Sequence, residues 1–145
     1  MSNGFLVLVV GPSGSGKGTV VNELKKRHSD YVFPVSATTR QPRPGERNGQ
    51  VYHFISREEF EQGISHGDFL EYAEVHKNNY YGTPKKPILD AIAGGKIVVR
   101  EVDIQGFKSI RAIMPSTRLV SIFLVVNDLN ELKMRILKRG KLPDE

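Results

Sequence analysis

The chain contains no cysteine and no tryptophan. Without cysteine there is no disulfide, no thiolate zinc site and no cysteine-held iron–sulfur cluster, which excludes a small disulfide-stapled secreted protein. Long apolar runs are missing as well. The longest, Phe5 to Val10, is strand-sized, far short of the roughly 20 residues of a membrane-spanning helix. Met1-Ser2-Asn3-Gly4 sets no basic stretch ahead of an apolar core, so no secretory leader is read there. A cytoplasmic location with no membrane partner is the default expectation. There is no internal repeat and no low-complexity tract.

What is there is ordinary for one soluble domain. The chain has 145 residues, 39% hydrophobic and 26% charged, enough to bury a core without staples. Lys and Arg number 21 against 16 Asp and Glu, a net charge of +5. A basic balance suggests an anionic partner, either nucleic acid or nucleotide phosphates. The position of the cations decides between them better than their total.

Phe5-Leu-Val-Leu-Val-Val10 ends at Gly11-Pro12 and reads as a strand buried on both faces of a parallel sheet. A helix is predicted from near Lys17. Val20, Val21 and Leu24 form its apolar stripe, and Lys25-Lys26-Arg27-His28 its basic last turn. Tyr31 to Val35 is a second short apolar run. From Ser36 to about Thr83 the texture changes to polar and turn-rich, above all over Arg40 to Gly49. Val51 to Ile55 predicts a strand, Ser56 to Glu59 a capping box opening a short helix, and Phe69 to Val75 another strand. This stretch reads as a small subdomain inserted into the main sheet.

The main pattern then resumes. Thr83-Pro84 predicts a helix start, with Pro87 arguing for a later one, and Gly94-Gly95 predicts its stop. Ile97 to Val99 and then Val102-Asp103 read as a strand, Phe107 to Met114 as a short helix, and Leu119 to Val126 as a third strand. Asp128 to Glu131 reads as a second capping box, its helix running to Arg139 with Gly140 as terminator. Such alternation predicts an α/β fold, a parallel sheet with right-handed crossovers.

Gly11-Pro12-Ser13-Gly14-Ser15-Gly16-Lys17 lies between a predicted strand and a predicted helix and matches G-x-x-x-x-G-K, the P-loop. Glycines let several backbone N–H groups point at one anion. The helix N-terminus adds partial positive charge, and Lys17 supplies a full one to the β/γ-phosphates. The usual Ser or Thr after the lysine, which reaches magnesium, is replaced by Gly18, with Thr19 next. Nucleoside monophosphate kinases often carry this form. Within the inserted stretch, Arg40 and Arg43 sit beside prolines, and Tyr52, Glu71 and Tyr81 follow. Arginine forks and tyrosine hydroxyls suit a monophosphate dianion. A lone carboxylate at Glu71 suits the adjacent N1–H and N2 donors of guanine, a pair that adenine lacks.

These blocks make the chain resemble the guanylate kinase family. GPSGSGKGT at Gly11, SATTRQPRPGE at Ser36, FLEYAEV at Phe69, NNYYGTP at Asn78, EVDIQG at Glu101 and ELKMRILKRG at Glu131 occur in family order and with near-family spacing. The resemblance implies a three-layer P-loop NTPase core (residues 1–35 and 84–127), a mixed α+β GMP-binding subdomain (36–83) and the start of a lid (128–145). It implies ATP on Gly11, Pro12, Ser13, Gly14, Ser15, Gly16, Lys17, Gly18 and Thr19. It implies the GMP phosphate on Arg40, Arg43, Tyr52 and Tyr81, with Glu46 ordering the arginine loop. Ser36, Glu71 and Asp103 would read the base, with Thr83 nearby, and Glu101 and Asp103 would face GMP and the magnesium shell. Thr19, and Asp103 through water, are the candidate Mg2+ ligands. Lys17, Arg40, Arg135 and Arg139 would carry the charge of the transferring phosphoryl group.

The implied reaction is ATP + GMP to ADP + GDP, with Mg2+ accompanying ATP and dGMP as a further acceptor. A non-catalytic interaction module of the same fold, or an inactive fragment of the enzyme, is the alternative; the intact Lys17 and glycine pattern argue against the module. Another small-molecule P-loop kinase is disfavoured by NYYGT and Glu71. Nucleic acid is not expected as a partner, since no aromatic–basic stacking platform is visible. Beyond Gly140 the resemblance implies further lid residues, a core strand and a final helix, for which the chain has no room, and lower stability or activity than a longer homologue is expected. Tyr80 reads as packing, the four histidines as non-catalytic, and the lysine runs at Lys25 and Lys85 as solvated. Arg100 stands where the family more usually has an apolar residue, and the sequence offers no account of it.

Overall fold

A computed structural model describes residues 3–75 and 78–138. The elements run β1 (Phe5–Val10), α1 (Lys17–Arg27), β2 (Ser36–Thr38), β3 (Tyr52–Phe54), α2 (Arg57–His66), β4 (Phe69–Val75) and β5 (Asn79–Pro84). They continue with α3 (Lys85–Ala93), β6 (Ile97–Val102), α4 (Ile104–Ile113), a short 3-10 turn, β7 (Leu119–Phe123) and α5 (Leu129–Lys138).

Two sheets result. The first is parallel, in the order β6-β1-β7. β1 is apolar throughout because helices cover both of its faces. Leu6, Leu8 and Val10 pack with Ile88 and Ile92 of α3 and with Phe107 and Ile110 of α4. Val9 faces the other side, against Val21 of α1 and Val99. The run after α1 docks on the free edge of β6: the Val32 N–H donates to Ile97 O at 2.8 Å, and the Val99 N–H donates to Val32 O at 2.9 Å.

The second sheet has the order β3-β2-β5-β4, with β5 antiparallel to both β2 and β4. All four strands fall within the turn-rich stretch. Its core is aromatic: Phe60 of α2 stacks between Phe69 and Tyr80, with ring centroids 4.3 and 4.9 Å apart. Tyr80 is thus a packing residue. α2 starts at a true capping box, the Ser56 hydroxyl accepting the Glu59 N–H at 3.1 Å and the Glu59 carboxylate accepting the Ser56 N–H at 2.8 Å.

Several boundaries differ from the pattern-based expectation. Thr83-Pro84 ends β5 rather than opening a helix, because Thr83 is fully buried and paired across to Glu71 of β4. α3 starts at Lys85, and Pro87 falls in its first turn, where a missing N–H loses no helical bond. α4 begins at Ile104, three residues before the predicted start, because the Asp103 carboxylate caps it by accepting the Gly106 N–H at 2.7 Å. β7 stops at Phe123, level with the end of its partner β1 at Val10. At α5 the Asp128 carboxylate accepts the Asn130 N–H at 2.8 Å, while Glu131 turns to Arg135 instead of closing a capping box.

Leu8 is fully buried in the cluster that joins the central strand to α3 and α4. Leu8→Ala will destabilise the chain by about 3 kcal/mol, the usual range for a buried leucine being ~2–5 kcal/mol. A loss below about 1 kcal/mol in urea unfolding would contradict this placement of the core.

Candidate active site

The loop between β1 and α1 closes tightly. A Cβ on Gly11 would lie 2.5 Å from the Ser15 hydroxyl oxygen and 3.2 Å from Leu124 O, so the strand end and the loop approach closely here. Gly14 and Gly16 hold φ of +81° and +96°, the left-handed region that glycine enters freely. α1 begins without a side-chain cap and without an acidic residue in its first turn. A helix start of this kind, with no acidic group of its own, suits an anion through its N–H groups and dipole. Lys17 folds over the loop, its ammonium donating to Gly11 O at 2.6 Å and Pro12 O at 3.1 Å. Pro12, Ser13 and Thr19 are exposed.

α5 packs directly on this loop. A Cβ on Gly14 would sit 3.1 Å from Ile136 and 3.2 Å from Leu132. The Arg135 guanidinium reaches Gly14 O at 3.4 Å and is steadied by Glu131 one turn earlier. Arg135 thus lies at the loop, while Arg139 falls outside the described residues.

A cleft of about 290 Å³ opens between the two sheets. Lys17, Glu101 and Asp103 line it on the side of the first sheet, and Ser36, Glu71 and Tyr81 on the side of the second. The Glu101 carboxylate stands beside the start of α1, 3.7 Å from where a Gly18 Cβ would be. Asp103 lines the cleft and caps α4 at once. Glu71 is held by the buried Thr83 hydroxyl, which donates to its Oε1 at 2.6 Å. Thr83 is not among the lining residues; it bonds Glu71, which is. Thr19 does not line the cleft either.

Arg40 and Glu46 form a two-pronged ion pair, with N···O distances of 3.0 and 3.1 Å. The Arg40 guanidinium also lies 5.4 Å from the Tyr52 ring and 5.5 Å from the Phe54 ring, a cation–π arrangement. Tyr52 meets Tyr81 edge to face at 5.7 Å. Glu46 does more than pair: its carboxylate accepts the Arg43 N–H at 2.8 Å and so shapes the loop. The Arg43 side chain is exposed. Arg40, Arg43, Tyr52 and Glu46 are not among the residues that line the cleft; they form a cluster that meets it through Tyr81.

Two residues escaped the sequence reading, and a third, Arg100, stood out in it without a role. Thr38 and Thr39 stitch the arginine loop to β5. The Thr38 hydroxyl donates to Tyr80 O at 2.9 Å and accepts the Arg40 N–H at 3.2 Å, and the Thr39 hydroxyl accepts the Tyr80 N–H at 2.9 Å. Their signal was a threonine pair directly ahead of an arginine. Arg100 also lines the cleft, donating to Pro34 O at 3.3 Å and to the Ser36 hydroxyl. Its signal was a cation directly after the apolar run Ile97 to Val99 of β6.

An uncapped glycine loop at the carboxyl end of a parallel strand, facing a pocket walled by arginine, tyrosine and carboxylate, defines a P-loop nucleotide-binding protein with a second, acceptor-like site. A family model for guanylate kinase matches residues 4–145. The chain is 47% identical over 144 residues to guanylate kinase of Trichormus variabilis, an alignment covering 99% of this chain and 71% of the relative. It is 43% identical over 145 residues to guanylate kinase of Carboxydothermus hydrogenoformans, covering 100% and 70%. The crystal structure of guanylate kinase from Anaplasma phagocytophilum superposes with a TM-score of 0.73 at 36% identity, over 94% of this chain and 68% of that one. The chain belongs to the guanylate kinase family.

The Arg40 pair, then the Arg43 N–H, hold the Glu46 carboxyl below its ordinary 4.5. A depressed carboxyl contributes its pairing above the midpoint and loses it as pH falls through it. The Arg43 amide proton, followed by NMR, will therefore titrate with a midpoint below 4.5. A midpoint at or above that value would mean that the pair does not organise this loop.

Proposed function

We infer that this protein transfers the γ-phosphoryl group of ATP to GMP, giving ADP and GDP. One observation carries the reading: a single cleft has the phosphate-loop lysine on one wall and Ser36, Glu71 and Tyr81 on the other. Donor and acceptor would then meet face to face. The family relatives bear the name guanylate kinase, which supports the same assignment.

The acceptor phosphate is already a nucleophile, so no strong general base is needed. Catalysis reduces to positioning and charge neutralisation. ATP would lie on the loop from Gly11 to Gly18, its β/γ-phosphates meeting the first amides of α1 and the Lys17 ammonium. The GMP phosphate would take Arg40, Arg43, Tyr52 and Tyr81, with Glu46 holding the arginine loop from behind. Guanine would present N1–H and N2 to Glu71, fixed by Thr83, and lie near Ser36 and Asp103. Arg135, bonded to Gly14 O, is close enough to the loop to share the charge of the transferring group; Arg139 is proposed for the same role on the family resemblance.

Mg2+ characteristically binds one or two carboxylates together with substrate phosphates. Among the described residues no group of three or more His, Asp or Glu forms a metal cage, and Glu101 beside Gly18 fits that sparse donor set better than the exposed Thr19. Asp103, through water, is the second candidate. When bound, the ion would supply charge neutralisation to the phosphates during transfer.

No helix among the described residues is long and apolar enough to cross a membrane, and we place the protein in the cytoplasm, where its substrates would be found.

A coupled ADP-release assay with GMP, dGMP and AMP tests the reading. Turnover with GMP and dGMP and none with AMP is expected, and turnover with AMP alone would overturn it. GMP binding with no turnover at all would favour the interaction-module alternative. Lys17→Met will lower kcat by on the order of 10²–10³-fold, as loss of one preorganised charge-stabilising donor does. A change below threefold would remove Lys17 from the chemistry.

A further inference from the structure

Among the described residues, Arg100 is the one cation in the wall of the cleft that the reaction above does not use. It stands on β6 opposite Leu8 of the central strand, in a run whose other members are Ile97, Val98, Val99, Glu101 and Val102. Burial pushes its pKa down, an effect opposed by the Glu71 and Glu101 carboxylates and the Tyr52 phenol. Its Nε is buried without a hydrogen-bond partner among the described residues. An apolar side chain on this strand would carry none of these costs. The two terminal nitrogens show where the arginine is directed: one donates to Pro34 O at 3.3 Å, the other to the Ser36 hydroxyl.

That second bond has a consequence for polarity. A guanidinium carries only donors and stays charged in proteins, whereas a serine hydroxyl has one proton and two acceptor lone pairs. Serine bonded to arginine must therefore accept, and its own proton is turned elsewhere. Ser36 and Arg100 both line the cleft, Arg100 from β6 of the first sheet and Ser36, with Glu71, from the second. We propose that Arg100 is a positioning residue for base selection: it holds Ser36 as an outward donor that reads the 6-oxo group of a purine monophosphate. This rests on the guanine-binding reading above and deepens it. Glu71 would test for the N1–H and N2 donors, and the Arg100–Ser36 pair for the acceptor at position 6. Adenine has an amino group at that position, so the Ser36 donor would face another donor and go unpaired, the situation that polar sites discriminate against most strongly.

The two readers are separable by ligand. Hypoxanthine keeps the 6-oxo group and N1–H but lacks the 2-amino group; adenine lacks the 6-oxo. Calorimetric binding of GMP, IMP and AMP to the full-length protein and to R100M, R100K and S36A is the test, with a non-hydrolysable ATP analogue and melting temperature as controls for folding. R100M is expected to weaken GMP and IMP about tenfold, as loss of one oriented hydrogen bond does, with the ATP analogue unchanged. The GMP-to-AMP ratio then falls about tenfold while the GMP-to-IMP ratio stays put. S36A should show the same loss, and the double variant no further loss, because the two residues act as one unit. R100K, which keeps a donor, should retain most of the preference.

An unchanged GMP-to-AMP ratio in R100M, or a double variant that loses the product of the two single effects, would overturn the proposal and leave the kinase reading intact. A wild-type protein that does not prefer GMP to AMP would overturn both. Should R100M not fold, R100K and S36A decide alone: preference kept in the first and lost in the second supports the pair, and any other combination rejects it.

Discussion

A parallel sheet delivers its loops to one edge, and the site is built from that constraint. β1 runs beside β6 with Val9 opposite Glu101 and Val10 opposite Val102. The phosphate loop leaves β1 at the level where Glu101 and Asp103 leave β6. No special contact is needed to bring acids and loop together; the strand register does it. The loop then turns the chain back into α1 within a few residues, through left-handed backbone at Gly14 and Gly16.

The opposite wall is a different kind of construction. The second sheet is small, and its strands β2 and β3 are three residues long. Such strands hold little by themselves. Their rigidity comes from an aromatic stack under β5 and from side-chain hydroxyls that bond the backbone across the sheet, at Thr38 and Thr39. Glu71 and Arg40, the groups proposed to meet the base and the phosphate, are each already fixed by a neighbour, Thr83 and Glu46. Prior fixing lowers the entropy lost when a ligand binds.

How much of this could be read from residues alone follows the range of the interactions. The phosphate loop, the Ser56 capping box and the buried strand β1 are local patterns, and the sequence showed all three. On the acceptor side, Arg40, Arg43 and Glu71 stood out by side-chain chemistry beside turn residues, whereas Glu46, Glu101 and Asp103 were given by resemblance; none followed from periodicity. What pattern could not show was pairing between distant residues. Thr83-Pro84 looks like a helix start until Thr83 is seen bonded to Glu71, twelve residues earlier. Asp103 looks like a ligand alone until Gly106 is seen bonded to it, as the cap of α4. Arg100 has no local logic at all, since its partners Pro34 and Ser36 are more than sixty residues away.

The cations of the site also share an economy of charge. Arg40 is bound to Glu46, Arg135 to Glu131, and Lys17 to two loop carbonyls. Each therefore has a local partner before any phosphate arrives. A buried or half-buried cation left alone would carry a desolvation cost and tend to draw its own segment out of place. With a weak partner it stays aimed, and an incoming phosphate, with more charge and more acceptor oxygens than a carbonyl, can displace or join that partner. Arg40 and Glu46 illustrate the second case: Glu46 occupies one edge of the guanidinium fork, and the planar group has five donors, so a phosphate need not break the ion pair to bind. Glu46 can thus orient Arg40 in the free and the loaded states alike, which is what a preorganised electrostatic site requires.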